Sequence, residues 1–329
     1  MEYKFKCENC NKEFLRREYS ISKHNYCSHS CAVTVNNKIH PRNPGEIKIC
    51  NYCGKNFQNK HRGHKLIETL WQQYIWGKQT VKQLVKKYHK SEKWIRQQLD
   101  KAPTKSFRLY PQLITAIADC TFWGRGYGVL VFRSFDLKQN LYWTEIKTET
   151  AATYREARKL LEDLGYIFEA IVLDGKKAIR EVFSDIPVQI CQFHQIAIIT
   201  RYLTRRPKLE AGKELRMIAL SLTDLTENML LLLLDSWYEK WGSFLKERTI
   251  NSNNSKKWSY THKRIRSAYR SLKTNAPYLF TYQQYPDLHI PNTTNSLDGS
   301  FKYLKQLIGI HSGLKRERRW RVIQEVLAK

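Results

Sequence analysis

No run of residues in this chain is long and apolar enough to cross a bilayer. The longest apolar stretch, Met229–Leu234 in NMLLLLLD, falls far short of the roughly 20 residues a spanning helix needs. The N-terminus lacks the charged, apolar and small segments of a secretory signal. Neither terminus carries a basic amphipathic helix with a clean apolar face, which argues against a membrane surface as partner. Acidic residues are scarce as well: 30 Asp+Glu stand against 57 Lys+Arg in 329 residues, a net charge of +27. These absences predict a soluble, cytoplasmic protein whose partner is a polyanion held by counterion release. What the chain does have is core-forming material. Its 42% hydrophobic and 12% aromatic residues exclude wholesale disorder, and its length admits two or three domains, including a full enzyme core.

Cysteine is unevenly spread. Six of the eight lie in the first 53 residues, leaving Cys120 and Cys191 alone downstream. In a reducing compartment, close pairs read as metal ligands rather than disulfides. Cys7-x2-Cys10 followed by Cys27-x3-Cys31 supplies four thiolates on two short turns, the number a structural zinc takes, with Phe5, Phe14 and Tyr26 as a small core. A second pair, Cys50-x2-Cys53, repeats the pattern CxxCxKxF. His61 and His64 in KHRGHK would complete a zinc site of two cysteines and two histidines, although His-x2-His is tighter than usual. The alternative is a degenerate finger that has lost its other half. Residues 1–64 are thus expected to form a zinc-finger region.

Residues 65–110 are basic and helical in pattern. LIETLWQQYIWGKQ sets Leu66, Leu70, Tyr74 and Ile75 near one helical face. The following segment carries Val81, Leu84, Val85, Tyr88, Trp94, Ile95 and Leu99 on two periodic pieces broken at His89–Ser91. With Ser91 as a cap, this predicts a helix-turn-helix whose recognition helix is Ser91–Leu99. Lys90, Lys93, Arg96, Gln97 and Gln98 would then face phosphates and base edges. A plain helical core has the same periodicity; the charge and the cysteine module favour DNA. KAPTKSFRLY, residues 101–110, reads as a linker.

From residue 111 the texture changes. LITAIADCTF, YGVLVFRSF and LYWTEIKTE are apolar, β-branched segments parted by polar or Gly-rich turns, which predicts three sequential strands. Thr153–Leu164 is an amphipathic helix with Tyr154, Ala157, Leu160, Leu161 and Leu164 on one side. FEAIVLDG is a buried strand, Lys176–Phe183 a short helix and PVQICQFH a fifth strand. Three antiparallel strands followed by helix–strand–helix–strand is the order of an α/β, RNase H-like fold. Residues 197–285 read as an all-helical insertion, and a last helix begins near Asn295.

Candidate chemistry sits on carboxylates at strand ends. Asp119 is expected at the end of the first strand and Asp174 at the end of the fourth, each after an apolar run where an unpaired carboxylate would be costly to bury. A divalent metal removes that cost. Asp298, in the first turn of the final helix, is the best third ligand for a two-metal clamp, with Asp287 the next candidate. Any one Asp after a strand is more simply a turn cap.

Taken together, these pieces resemble the DDE-type transposases of bacterial insertion sequences related to Mutator elements. The resemblance covers about 111–329. It rests on Asp119 in IADCTFWGRGYG, Asp174 in VLDGKKAIREVF, Cys191-x2-His194 in ICQFHQ, and TTNSLDGSFKYLKQLIGIHSGL around Asp298. In the family the third acid is commonly Glu within TNxxE, so Asp298 is a departure, one methylene shorter. The resemblance implies two Mg²⁺ ions, with Mn²⁺ able to substitute, held by Asp119, Asp174 and Asp298. It implies hydrolysis at the element's terminal inverted repeats and in-line strand transfer into target DNA. It also implies an assembly of at least two copies on nucleoid DNA, and a place for His194 at the scissile phosphate, with a structural hydrogen-bonding role for that histidine as the alternative.

Residues beside these motifs read more simply. Cys191 fits core packing on a strand, and two ligands alone would not make a zinc site with His194. Arg125, in the turn between Trp123 and Tyr127, could reach phosphate or be solvated; Trp237 and Trp241 fit an insertion core. The basic runs THKRIRSAYRSLK and LKRERRWR suit a DNA backbone or a solvated helix face. Two other classes stay open: a non-catalytic DNA-binding descendant of a transposase, and an RNase H-like nuclease of host metabolism.

Overall fold

The computed structural model describes residues 1–40, 48–49, 56–57, 62–103, 110–251, 254–311 and 313–328. The chain divides into two compact units, Met1–Pro103 and Thr104–Lys329.

The first unit begins with an antiparallel hairpin of β1 (Glu2–Lys6) and β2 (Glu13–Arg17), joined by a turn in which the Asn11 N–H bonds to the Cys7 carbonyl. Helix α1 (His29–Ile39) follows, capped by the Ser28 side chain on the Cys31 N–H. A short pair, β3 (Lys48–Ile49) and β4 (Asn56–Phe57), precedes three helices: α2 (Arg62–Ile75), α3 (Val81–Tyr88) and α4 (Glu92–Asp100). The break expected at 89–91 is present. His89 takes a left-handed conformation (φ 52°) and the Ser91 side chain caps α4 through the Trp94 N–H. Thr80 and Gln83 form a reciprocal capping box on α3. The buried face of α2 is Ile67, Leu70, Trp71, Tyr74 and Ile75. Leu66, assigned to that face from the sequence, is only half-buried, because Ile67 and Trp71 take the inner positions.

The second unit is a mixed α/β body around a five-stranded sheet. Its strands are β5 (Leu113–Phe122), β6 (Gly128–Ser134), β7 (Gln139–Ile146), β8 (Ile167–Leu173) and β9 (Val188–Ile190). The sheet order is β7-β6-β5-β8-β9, with the first three antiparallel and β5, β8 and β9 parallel. Helix α5 (Ala151–Asp163) crosses from β7 to β8, and the short α6 (Lys177–Arg180) leads towards β9. The central strands are apolar on both faces, as strands covered on both sides must be. One side packs on Tyr154, Ala157 and Leu161 of α5. Leu160 and Leu164, expected on that face, are 41% and 42% exposed: they fall beyond the width of the stripe that meets the sheet.

Beyond β9 come α7 (Gln192–Leu203), α8 (Glu210–Leu220) and α9 (Glu227–Lys246). The region is not all-helical as expected. An antiparallel hairpin, β10 (Arg248–Asn251) and β11 (Asn254–Tyr260), interrupts it before α10 (Lys263–Leu279) and the short α11 (Thr281–Gln284). This part has its own core, in which Trp237 is buried and donates from its indole to the Ala211 carbonyl at 3.1 Å. Helix α12 (Asn295–Ile310) starts where expected, but it is not the last: α13 (Arg316–Leu327) follows and carries the basic run. Arg318 of that run is buried rather than solvated. No described helix is long and apolar enough to cross a membrane.

Candidate functional site

The four N-terminal cysteines meet. Cys7 directly follows β1, Cys10 lies on the hairpin turn, and Cys27 and Cys31 flank the start of α1; their sulfur atoms all lie within 4.8 Å of one another. Cys10 to Cys27 is 3.5 Å and Cys27 to Cys31 is 3.7 Å. Burial alone would push the Cys7 thiol up, but bonds from the backbone of Cys27, Cys10 and Asn9 outweigh it and bring it to about 6, whereas the neighbouring sulfurs of Cys10 and Cys7 push Cys27 up to about 12. Four sulfurs this close cannot all be thiolates without a cation between them, and the set could bind zinc. Cys50, Cys53 and His61 lie outside the described residues, and of His64 only the helical backbone is described.

The second cluster is assembled from three distant parts of the chain. Asp119 is 7% exposed and lies within β5 opposite Val131, not at the strand's end as expected: the hairpin ladder with β6 runs on to Phe122. His194 stands in the first turn of α7 and Asp298 in the first turn of α12. One ligand atom from each of Asp119, His194 and Asp298 falls within 4.8 Å of the others. The shorter Asp298 side chain therefore reaches the site. Burial pushes the Asp119 carboxyl up to about 7, opposed by His194 and by the Cys120 N–H, which donates to its Oδ1 at 2.7 Å. His194 is pushed up to about 9, first by its hydrogen bond with Cys191, with the charges of Asp119 and Asp298 adding to it. Its imidazolium is the protein's own counter-cation to the two carboxylates.

Cys191 is not a strand residue. Strand β9 stops at Ile190, and Cys191 is the N-cap of α7, fully buried. The expected strand was too long because the apolar run continues into a helix, where periodicity over so few residues does not discriminate. Burial works to raise the Cys191 thiol, but hydrogen bonds with His194 and Thr294 outweigh it and hold it below the usual value.

Thr294 is what joins α12 to α7; it is the Thr of the TNxxE-like segment around Asp298, to which the sequence reading gave no role. It is fully buried, its N–H donates to Cys191 Sγ at 3.3 Å, and its hydroxyl lies 3.3 Å from Asp298 Oδ2, 3.3 Å from His194 Nδ1 and 3.4 Å from Cys191 Sγ. The hydroxyl has one proton for either Asp298 or Cys191, while the protonated His194 ring donates to its oxygen, so the hydroxyl ties the group together as a shared partner. Two further bonds clamp the same loop: the Gln192 N–H to the Asn292 carbonyl at 2.9 Å, and Asn292 Nδ2 to Gln192 Oε1 at 3.1 Å. A polar PNTT segment before a helix was the available signal.

Asp174 follows β8 directly, beside β5 in the sheet. Gly175 turns the chain there at φ +97°, and a Cβ on it would lie 3.1 Å from Ile190 Cγ2. Asp174 feels the charges of Glu149 and His194, and its charge is felt at Asp119, but it is not among the three groups whose ligand atoms converge. Asp287 is exposed in a short turn and is likewise outside that group. A second unpredicted residue, Glu149, precedes α5; its carboxylate accepts from Tyr154 Oη at 2.9 Å and pairs with Lys176. Arg125 is exposed on the β5–β6 turn. On α4, Lys93 and Gln97 are exposed, Lys90 is exposed just before it, and Gln98 is half-buried; Arg96 is held by Glu92 one turn back at 2.9 Å.

The Asp119 and Asp298 oxygens suit a hard divalent cation, and His194 could add a ring nitrogen only on giving up its proton. No protein-family model and no curated protein matches this sequence.

Proposed function

We propose that this chain is a DNA transposase whose second unit is an RNase H-like catalytic domain. The observation that carries this is the convergence of Asp119, on the central strand, with Asp298, about 180 positions later in the chain, next to the strand end that bears Asp174. The sheet order, with an outer antiparallel meander and two parallel strands on the other side, supports an RNase H-like assignment. Function, however, rests on the site rather than the sheet. Asp119, Asp298 and Asp174 would hold Mg²⁺ or Mn²⁺, which when bound activates the attacking oxygen and neutralises charge on the phosphate. Asp119 is fixed by its bond from the Cys120 N–H and Asp298 by the Thr294 hydroxyl, so neither carboxylate has to be reorganised as charge builds up. His194, held protonated by Cys191 and the two carboxylates, is suited to donate to a non-bridging phosphate oxygen.

The first unit serves end recognition in this reading. Its four-cysteine module stabilises a fold too small to have much core. Helices α3 and α4 act as a helix-turn-helix in which Lys90, Lys93 and Gln97 are free to meet DNA. The charge of +27 supplies the general attraction for phosphate.

The test is cleavage of a plasmid carrying the DNA that flanks the coding sequence, by purified protein with Mg²⁺ or Mn²⁺. Nicks leaving 3′-hydroxyl ends and their joining to target DNA are expected from the wild type and not from Asp119→Asn, with both proteins binding the ends alike. Binding without cleavage by the wild type would leave a DNA-binding protein and no transposase. Cleavage that ignores the flanking sequence would indicate a general nuclease.

A further inference from the structure

A fourth acidic side chain stands beside the three carboxylates assigned above. Glu149 lies in the connection between β7 and α5, and its side chain is only 7% exposed. Two groups hold it. Tyr154 Oη donates to Oε1 at 2.9 Å and is itself 3.5 Å from Cys120 Sγ, the residue next to Asp119. The Lys176 ammonium pairs with Oε2. Lys176 is two residues past Asp174, and its own N–H approaches Asp174 Oδ1 at 3.5 Å. The lysine could fold back onto Asp174, yet its side chain is bound to Glu149.

A lysine so close to a metal-binding carboxylate competes with the metal. Bound directly to Asp174 it would occupy the oxygens that a divalent cation needs and make each metal-binding event an ion exchange. The ammonium is instead held by Glu149, in the connection before α5. We infer that Glu149 is a positioning residue for Asp174, acting through Lys176: it keeps the Lys176 ammonium off the Asp174 carboxylate and so leaves Asp174 open to a divalent cation. This rests on the proposed function only in taking Asp174 as a metal ligand.

The experiment is Mn²⁺ binding to the full, zinc-loaded chain, followed by paramagnetic resonance of the free ion, for the wild type, Glu149→Gln, Lys176→Met and the double variant. Gln keeps the acceptor for Tyr154 and the size of the side chain, so the fold is retained; unchanged thermal unfolding checks this. Glu149→Gln is expected to weaken Mn²⁺ binding about 10-fold, because Lys176 closes onto Asp174. Lys176→Met should bind at least as tightly as the wild type, and the double variant should return to within about 2-fold of Lys176→Met. The inference is overturned if Glu149→Gln binds as the wild type does. It is also overturned if the double variant stays as weak as Glu149→Gln, which would make Glu149 a direct ligand or a purely structural group, or if the wild type takes up no Mn²⁺. Because the readout is binding, its outcome separates from that of the cleavage test. Normal coupling without cleavage would sink the transposase reading alone, and cleavage without coupling would sink only this inference.

Discussion

The cysteine cluster and the carboxylate cluster are built in opposite ways. Cys7, Cys10, Cys27 and Cys31 come from one short stretch, on a hairpin turn and the first turn of a helix, and local chain geometry brings them within 4.8 Å. Asp119, His194 and Asp298 reach the same mutual distance from a strand and two helix starts spread over more than half the chain. The first cluster lies in a module with few buried residues; the second lies against the buried central strand of a sheet. The cysteine module buries little apolar surface, and Cys7 is its one fully buried cysteine, so a metal held by the sulfurs would contribute much of its order. The carboxylate cluster sits on a sheet whose central strands are buried on both faces, so it can tolerate buried charge that costs stability.

That difference predicts how each region breaks. The largest effect is expected at the carboxylates. Asp119→Asn or Asp298→Ala should lower strand cleavage by roughly 1,000-fold or more while DNA affinity stays within about 2-fold, and Asp298→Glu should retain activity. Gel-shift and nicking assays on the same DNA check both halves; a parallel loss of binding would contradict the division of labour.

At the cysteine module the loss should be structural instead. Cys7→Ser or Cys27→Ser should lose about one zinc per chain and leave residues 1–40 open to protease, with weakened DNA binding and an unchanged second unit. Metal analysis with limited proteolysis measures this, and wild-type protein free of zinc would refute it.

A smaller effect is expected where the two helix starts are joined. Thr294→Val keeps the shape but removes the hydroxyl shared by Asp298, His194 and Cys191. Leaving these groups without that partner should cost about 1–3 kcal/mol and slow cleavage by about 10-fold. Melting curves beside rate measurements distinguish a loosened site from an unfolded one.

The smallest effect lies on the surface, where Arg158 of α5 bonds Asp185 at 2.5 Å and holds its carboxyl below the usual range. A depressed acid stabilises the fold above its unfolded-state value, and that contribution fades as pH falls through the depressed one. Asp185 is more than half exposed, so Asp185→Asn should cost under about 1 kcal/mol near neutrality and progressively less as pH falls through the depressed value. Melting temperatures across that range would show the two curves converging, and curves that stay parallel would assign the loss to packing.

Much of both regions was legible before any coordinates. The sequence by itself determined the cysteine spacing, the Ser91 cap, the alternation of strands and helices in the second unit, and which acids follow apolar runs. These are local properties, set by neighbours a few residues away. It misjudged features that depend on what lies across the fold: the helix for which Cys191 is the N-cap, the β10–β11 hairpin, the extra helix α13, and the exposed Leu160 and Leu164. The tertiary structure alone decided that Asp298 and His194 reach Asp119, that buried Thr294 ties them, and that Glu149 holds Lys176 beside Asp174. The physical reason is that contacts between distant segments are chosen by packing and by the cost of burying unpaired polar groups, and neither leaves a period in the chain.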